Sequence, residues 1–390
     1  MKIGKYLRVN NLFLTGILMS TNTLAVTLNI LEWEGYISPF KEDFEVYAKS
    51  KGMEVELNIM DPYITDPELI FNKLRARAAD VTTPTHNYYK MNKNRLLQVL
   101  QPIDFSRLSH YPKVLNSLRN SQYDEFKGKK YSVPLLGGSY GLAYNAAKRD
   151  EPKSWEELWQ PENKGKFAIT GDQFEANIYT TLLVLGYPPE SFYDIDATEF
   201  DKPKVQAKLT SLVQNADSFW NGMADVERMK DLELATTYWF GVAAANKSGQ
   251  NWKLATPKEG QTVWLDTLAI GRHVKGEKLD AAYLLIDFMI SEPVQKRILE
   301  MYGSIIVNGA TAKLLDPQLV KDARVGDETF FSEQYLWRPL SSRTRNTYKQ
   351  MWNKAWINKA SAMLPKEFTP KTLALNIKLI ILFQLVSFTS

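Results

Sequence analysis

The sequence predicts an α/β protein built as two lobes. Strand-like and helix-like segments alternate to about residue 363, and glycines cluster at Gly137, Gly138 and Gly141, where a crossing between lobes would need free torsions. A chain of 390 residues is also long enough for two domains with buried cores.

Residues 1–25 stand apart from the fold. Lys2, Lys5 and Arg8 form a positive start, Leu12 to Met19 is a short apolar run, and Thr23-Leu24-Ala25 offers a small-residue cleavage site. These are the three parts of a secretory signal peptide, and the apolar run is much shorter than the ~20 residues a spanning helix needs. Losing the three basic residues of this leader lowers the formal charge from +4 to +1, a balance that argues against a nucleic-acid partner. The chain has no cysteine, so it carries no disulfide, no thiolate nucleophile and no cysteine for lipid attachment. A soluble periplasmic protein fits these features.

Val26 to Leu31 reads as the first strand and Pro39 to Lys51 as a helix. Met53 to Met60 alternates as a strand, Pro67 to Ala79 has helical spacing, and Val81 leads into a polar loop, Thr82 to Asn87. Such alternation implies parallel α/β units, in which ligands sit at loops leaving the carboxyl ends of strands; Trp33 to Tyr36 and Thr82 to Tyr89 occupy such places. Lys130 to Leu136 is another strand, with the glycine cluster after it. Ser154 with Glu157 reads as a capping box opening a helix whose Trp155 and Trp159 face the core.

Phe167 to Thr170 is a strand that turns through Gly171-Asp172-Gln173-Phe174-Glu175 into an apolar helix ending near Gly186. Leu254 to Pro257 and Thr262 to Gly271 bracket a turn at Lys258-Glu259-Gly260, and Asp280 to Ile290 is a strongly apolar helix with Pro293 starting the next. Beyond residue 363 an apolar tail, Leu373 to Phe388, is interrupted by Asn376 and Lys378. It is short for a membrane span and reads as a poorly ordered terminus rather than an interfacial anchor.

Enzyme readings lack parts. His86, His110 and His273 are the only histidines, with no metal-ligand spacing, no Gly-x-Ser-x-Gly and no glycine-rich phosphate loop. Asp172 and Glu175 could be a glycosidase pair, a helix N-cap with its third-position partner, or anchors for an ammonium group. Their aromatic company bears on the choice between the two functional roles. Trp33-Glu34-Gly35-Tyr36, Trp239-Phe240-Gly241 and Trp264-Leu265-Asp266 scatter tryptophans along the chain, two of them close to carboxylates. Each tryptophan taken alone is better explained as core. As a set they suit a polyamine: carboxylates for the nitrogens, flat faces for the methylenes between, and roughly 0.5 to 2 kcal/mol for each cation held over a ring.

This set resembles the periplasmic polyamine-binding proteins, the spermidine and putrescine receptors of ABC transporters, within the type II two-lobed solute-binding superfamily. The likeness runs from about residue 28 to 340. Leu28 to Tyr36 is similar to the family's opening strand and Asn-Trp-x-x-Tyr motif, which implies Trp33 and Tyr36, with Glu34 between them, as pocket residues. Asp80 to Thr85 resembles its Asp-x-x-x-Pro-Ser/Thr loop, implicating Thr85 and a pocket residue among Asn87, Tyr88 and Tyr89. Thr170 to Glu175 is similar to its Thr-x-Asp-x-x-Glu segment, giving Asp172 and Glu175 an amine-anchoring role, and Trp239-x-Gly241 matches a pocket tryptophan. Pro257 to Ile270 is the most specific match and makes Trp264 and Asp266 the strongest candidates.

Two positions depart from the pattern. Ser304 stands where the spermidine receptors have a tyrosine, and Arg338 where they have an amide after tryptophan. An arginine facing a polycation would be repulsive unless Glu175 or another acid neutralises it.

The resemblance implies no cofactor and no catalysis, two discontinuous lobes (26–135 with 265–311, and 136–264 with 312–363), and hinge closure over a di- or triamine. The partner would be an ABC transporter permease. The alternative is the periplasmic domain of a membrane signalling protein, as in the norspermidine sensors that share the fold and control cyclic-di-GMP enzymes. A sugar or anion receptor of the same fold also stays open, since fold does not fix ligand.

Overall fold

The computed structural model describes residues 25–363 except 197–198, 222–223 and 334. All of the predicted leader but Ala25, and all of the apolar tail, lie outside the described residues.

Among the described residues, eleven strands join in one sheet. In chain order they are β1 (Val26–Leu31), β2 (Val55–Ile59), β3 (Val81–Thr82), β4 (Val133–Asn145), β5 (Phe167–Thr170), β6 (Ser218–Trp220), β7 (Leu234–Tyr238), β8 (Trp252–Leu254), β9 (Thr262–Ile270), β10 (Ile305–Ile306) and β11 (Tyr335–Leu336). The main path is β2-β1-β3-β9-β4-β7-β5-β6, with β8 and β10 on β4 and β11 on β9. The set β2-β1-β3 is parallel, as is β7-β5-β6. Between them β9 and β4 run antiparallel to each other and to their outer neighbours. The expectation of parallel units therefore holds within each outer set, and the sheet as a whole is mixed.

The strands β9 and β4 together join the two sets, β9 on the β3 side and β4 on the β7 side. In β9, Ala269 and Ile270 pair with β3, while Thr262 to Leu268 pair with β4, and all nine residues of β9 are buried. A strand covered on both faces reads as a near-continuous apolar run, and Asp266 is its one charged interruption. Successive side chains alternate between faces, so Trp264 and Asp266 project to the same side.

Helices start where the local chemistry predicts. Asp66 accepts from Glu68 N–H (2.7 Å) and Leu69 N–H (3.0 Å), capping the helix Pro67–Arg75, which buries Ile70 and Leu74 one turn apart. Pro293 lies in the first turn of the helix Glu292–Tyr302, and Gly303 ends it in the left-handed conformation (φ 62°), which glycine adopts without a Cβ penalty.

Two expectations give way. Trp155–Trp159 is a 3-10 helix, and its capping box is completed from elsewhere: Ser154 Oγ accepts from Glu156 N–H, but Glu259 accepts from Ser154 Oγ and from Trp155 N–H, while Glu157 pairs with Arg149. Trp155 is buried as expected, and Trp159 packs half-buried against the core.

The glycines at 137, 138 and 141 lie inside β4, which continues to Asn145, and none has positive φ. Each is closely approached by its neighbours. A Cβ at Gly137 would meet Trp264 O at 2.7 Å and the Phe331 ring at 3.0 Å; one at Gly141 would meet Leu254 at 2.8 Å.

Candidate ligand-binding site

The site is organised around Asp266. Its backbone forms a bridge with Thr85, which brings the loop after β3 onto the middle of β9. His86 fixes that loop: Nδ1 accepts from Leu265 N–H (3.2 Å) and Nε2 donates to Trp337 O (2.6 Å). Burial pushes the His86 imidazole down to about 4, so the ring stays neutral and structural.

The Asp266 side chain is 4% exposed. Tyr36 Oη donates to Oδ2 at 2.7 Å, whereas Oδ1 is buried with no hydrogen-bond partner. Burial raises the carboxyl to about 7, partly offset by the Thr85 and Tyr36 hydroxyls, and no ion pair reaches it among the described residues. A buried carboxylate without a cation is costly, so this group holds its proton more tightly than usual.

Aromatic side chains surround it. Trp264, its same-face neighbour on β9, packs edge-on against Tyr238 with ring centroids 5.8 Å apart, and its ring lies 3.1 Å from where a Gly138 Cβ would sit. The hydroxyls of Tyr36, Tyr88 and Tyr238 all lie within the field of Asp266, and all three are raised, chiefly by burial. Trp33 is tied to the same loop by its N–H to Thr83 Oγ1 (2.9 Å). The indole N–H groups of Trp33 and Trp264 are buried and unpartnered. Tyr302 Oη donates to Gly35 O (2.6 Å), and the Trp239 ring lies beside Gly303, so the turn after β1 and the Tyr302-Gly303-Ser304 segment adjoin. Ser304 is buried.

The second acidic element is built differently from the expectation. Asp172 does not cap the helix Phe174–Val184: Gln173 takes the N-cap position, Thr170 Oγ1 accepts from Gln173 N–H, and Asp172 Oδ1 accepts from Thr170 Oγ1 at 2.8 Å. Asp172 is exposed. Glu175 carries an internal ion pair, Arg345 Nε to Oε1 at 2.8 Å, with Lys349 adding positive field. Burial still holds the Glu175 carboxyl above its ordinary range. The Tyr88 hydroxyl, raised chiefly by burial, lies within the field of both Glu175 and Asp266.

The other predicted residues lie elsewhere. Asn87 and Arg338 line a cleft of about 510 Å³ together with His86, Tyr193 and Trp337; neither Asp266 nor Glu175 lines it. Arg338 is exposed there, and the acid expected to neutralise it is taken by Arg345. Of the three candidates after Thr85, Tyr88 lies within the field of both acids, while Tyr89 is fully buried with its hydroxyl on Thr267 Oγ1 (2.6 Å). Glu34 is exposed and takes part in none of the hydrogen bonds that tie this cluster together among the described residues. Tyr238, Tyr302 and Arg345 were not foreseen. Tyr238 could have been suspected from its place at the end of a strand immediately before Trp239.

Residues 41–325 match the model of the bacterial extracellular solute-binding proteins. The chain belongs to this family. Within it, the chain is 27% identical over 338 residues to a spermidine/putrescine-binding periplasmic protein of Escherichia coli K12, a span of 84% of this chain and 91% of that one. It is 29% identical over 306 residues to the protein of that description from Salmonella typhimurium, covering 76% and 82%. Among solved structures, a spermidine/putrescine ABC transporter substrate-binding protein of Streptococcus pneumoniae superposes with a TM-score of 0.68 at 20% identity, over 86% of this chain and 100% of that one. The chain therefore has the two-lobed type II fold of these solute-binding proteins. Like them it is a binding protein and not an enzyme, which removes the glycosidase reading of Asp172 and Glu175. No helix among the described residues is long and apolar enough to cross a membrane.

Proposed function

We propose that this protein is a periplasmic polyamine receptor that closes its lobes over a di- or triamine and delivers it to an ABC transporter permease. The observation that carries this reading is the buried Asp266 carboxylate, with one oxygen unpartnered and tryptophan and tyrosine rings around it. An ammonium group placed there would supply the missing hydrogen bond and the missing charge together. A neutral sugar would supply only the first, and an anion would be repelled. The spermidine- and putrescine-binding relatives support the same ligand class.

In this reading residues 1–25 are the export signal. The lobes are 26–135 with 265–311 and 136–264 with 312–363, so two of the crossings fall in β4 and β9. Trp33, Tyr36, Thr85, Tyr88, Asp172, Trp239, Trp264, Asp266 and Ser304 supply the ligand surface. A signalling partner has less support, because the similar structure from Streptococcus pneumoniae is an ABC transporter substrate-binding protein.

Calorimetric titration with putrescine, spermidine, norspermidine and spermine, with a neutral sugar and an amino acid as controls, tests the reading. Saturable binding of at least one polyamine, lost in Asp266→Asn, supports it. Silence to all four overturns it.

A further inference from the structure

The Glu175–Arg345 pair has a consequence for which amines the site accepts. In a pocket that holds a polycation by its acids, every carboxylate is expected to await a ligand nitrogen. Here the two acids around Tyr88 differ. Asp266 has no cation against it, whereas Glu175 Oε1 accepts from Arg345 Nε at 2.8 Å. Arg345 sits in the first turn of the helix Ser342–Met363, with Lys349 one turn further on adding to the same field. Its guanidinium also lies 5.6 Å from the Phe174 ring centroid, so the cation is held by an acid and an aromatic face together, much as a ligand ammonium would be. The pair is partly shielded, at 36% side-chain exposure for Arg345 and 19% for Glu175.

We propose that Arg345 is a specificity-determining residue whose guanidinium stands at Glu175 in place of a ligand ammonium, so that the site favours amines of lower charge over triamines. The proposal rests on the polyamine reading above. A nitrogen directed at Glu175 would have to displace a hydrogen-bonded guanidinium or share the acid with it, and two cations close together repel. A diamine anchored at Asp266 need not approach it.

The test compares putrescine with spermidine by calorimetry in the full-length mature protein. Arg345→Gln removes the charge and keeps a donor for Glu175; Arg345→Lys keeps the charge. Expected is a shift of the affinity ratio toward spermidine by about tenfold or more in Arg345→Gln, roughly 1.4 kcal/mol, with the wild-type ratio retained in Arg345→Lys. The double variant Glu175→Gln/Arg345→Gln supplies an independent measure, because it neutralises both partners while preserving their hydrogen bond. If the pair is self-contained, its putrescine affinity stays within about threefold of wild type.

A wild-type protein that binds amines but shows an unmoved ratio in Arg345→Gln, or a double variant that loses putrescine by more than about tenfold, overturns the role of Arg345 and leaves the receptor reading standing. A wild-type protein that binds no amine overturns both.

Discussion

The Tyr36 hydroxyl donates a 2.7 Å hydrogen bond to Asp266 Oδ2 across 230 residues of chain. It joins the turn after β1 to the middle of β9, which with β4 forms the antiparallel pair between the two parallel sets. The bond satisfies one carboxylate oxygen, and the other is buried without a hydrogen-bond partner. The bonded oxygen fastens the two segments while the unpartnered one costs stability, so under the proposed function stability and amine affinity pull in opposite directions.

Asp266→Asn is expected to abolish tight amine binding and to raise the melting temperature of the ligand-free protein at neutral pH. The amide can accept from Tyr36 as the carboxylate does, but it never has to ionise in a buried place. Calorimetry and thermal denaturation without ligand check the pair of outcomes. A variant that binds amines as wild type does would remove Asp266 from the site.

Amine affinity should rise with pH up to about 7, where Asp266 ionises. The ligand needs the carboxylate, so each bound amine displaces a proton below that point. One coupled proton with this pKa lowers affinity by roughly 25-fold between about pH 7.5 and about pH 5.5. Stability of the ligand-free protein runs the other way. The folded pKa lies above the unfolded value of about 3.9, so the folded state binds more protons and this group's contribution declines as pH rises from there toward about 7. Titrations at several pH values in buffers of different ionisation heat count the protons released, and a pH-independent affinity would refute the coupling.

Arg338→Gln should leave amine affinity within about threefold of wild type, since an exposed charge is largely screened by salt and this one faces the cleft lined by Asn87 and Trp337. A gain of tenfold or more for spermidine would put Arg338 against the ligand after all.

What the sequence shows of this site depends on how far apart the partners lie. Trp264 and Asp266 are marked out as candidates by the resemblance of Pro257 to Ile270, and the structure adds that this acid stands inside a nine-residue buried strand, a local anomaly. The strand and helix order is legible because periodicity and capping act over a few residues. Arg345 is not, because nothing in its helix marks one basic residue among Arg343, Arg345 and Lys349, and its partner lies 170 residues earlier. Tyr88 could not be separated from Asn87 and Tyr89, since one residue of shift in a 3-10 turn decides which side chain faces the acids. The role of the β4 glycines is not legible because a glycine needed for torsional freedom and a glycine needed for close approach look alike in one sequence.

That last ambiguity can be decided by adding single methyl groups. At Gly137 a Cβ would meet the backbone oxygen of Trp264 at 2.7 Å, and backbone within a paired strand cannot move aside cheaply. Gly137→Ala should therefore cost about 1 to 3 kcal/mol of stability, read as a lowered melting temperature. At Gly138 the contact is the Trp264 ring at 3.1 Å, a side chain that can yield by a few tenths of an ångström. Gly138→Ala should keep most of the stability but tilt the indole and weaken amine binding. The two neighbours then separate by readout, one in melting and the other in affinity. Should Gly137→Ala melt with wild type, close packing is not what this glycine serves, and a torsional role at the crossing becomes the better account of it.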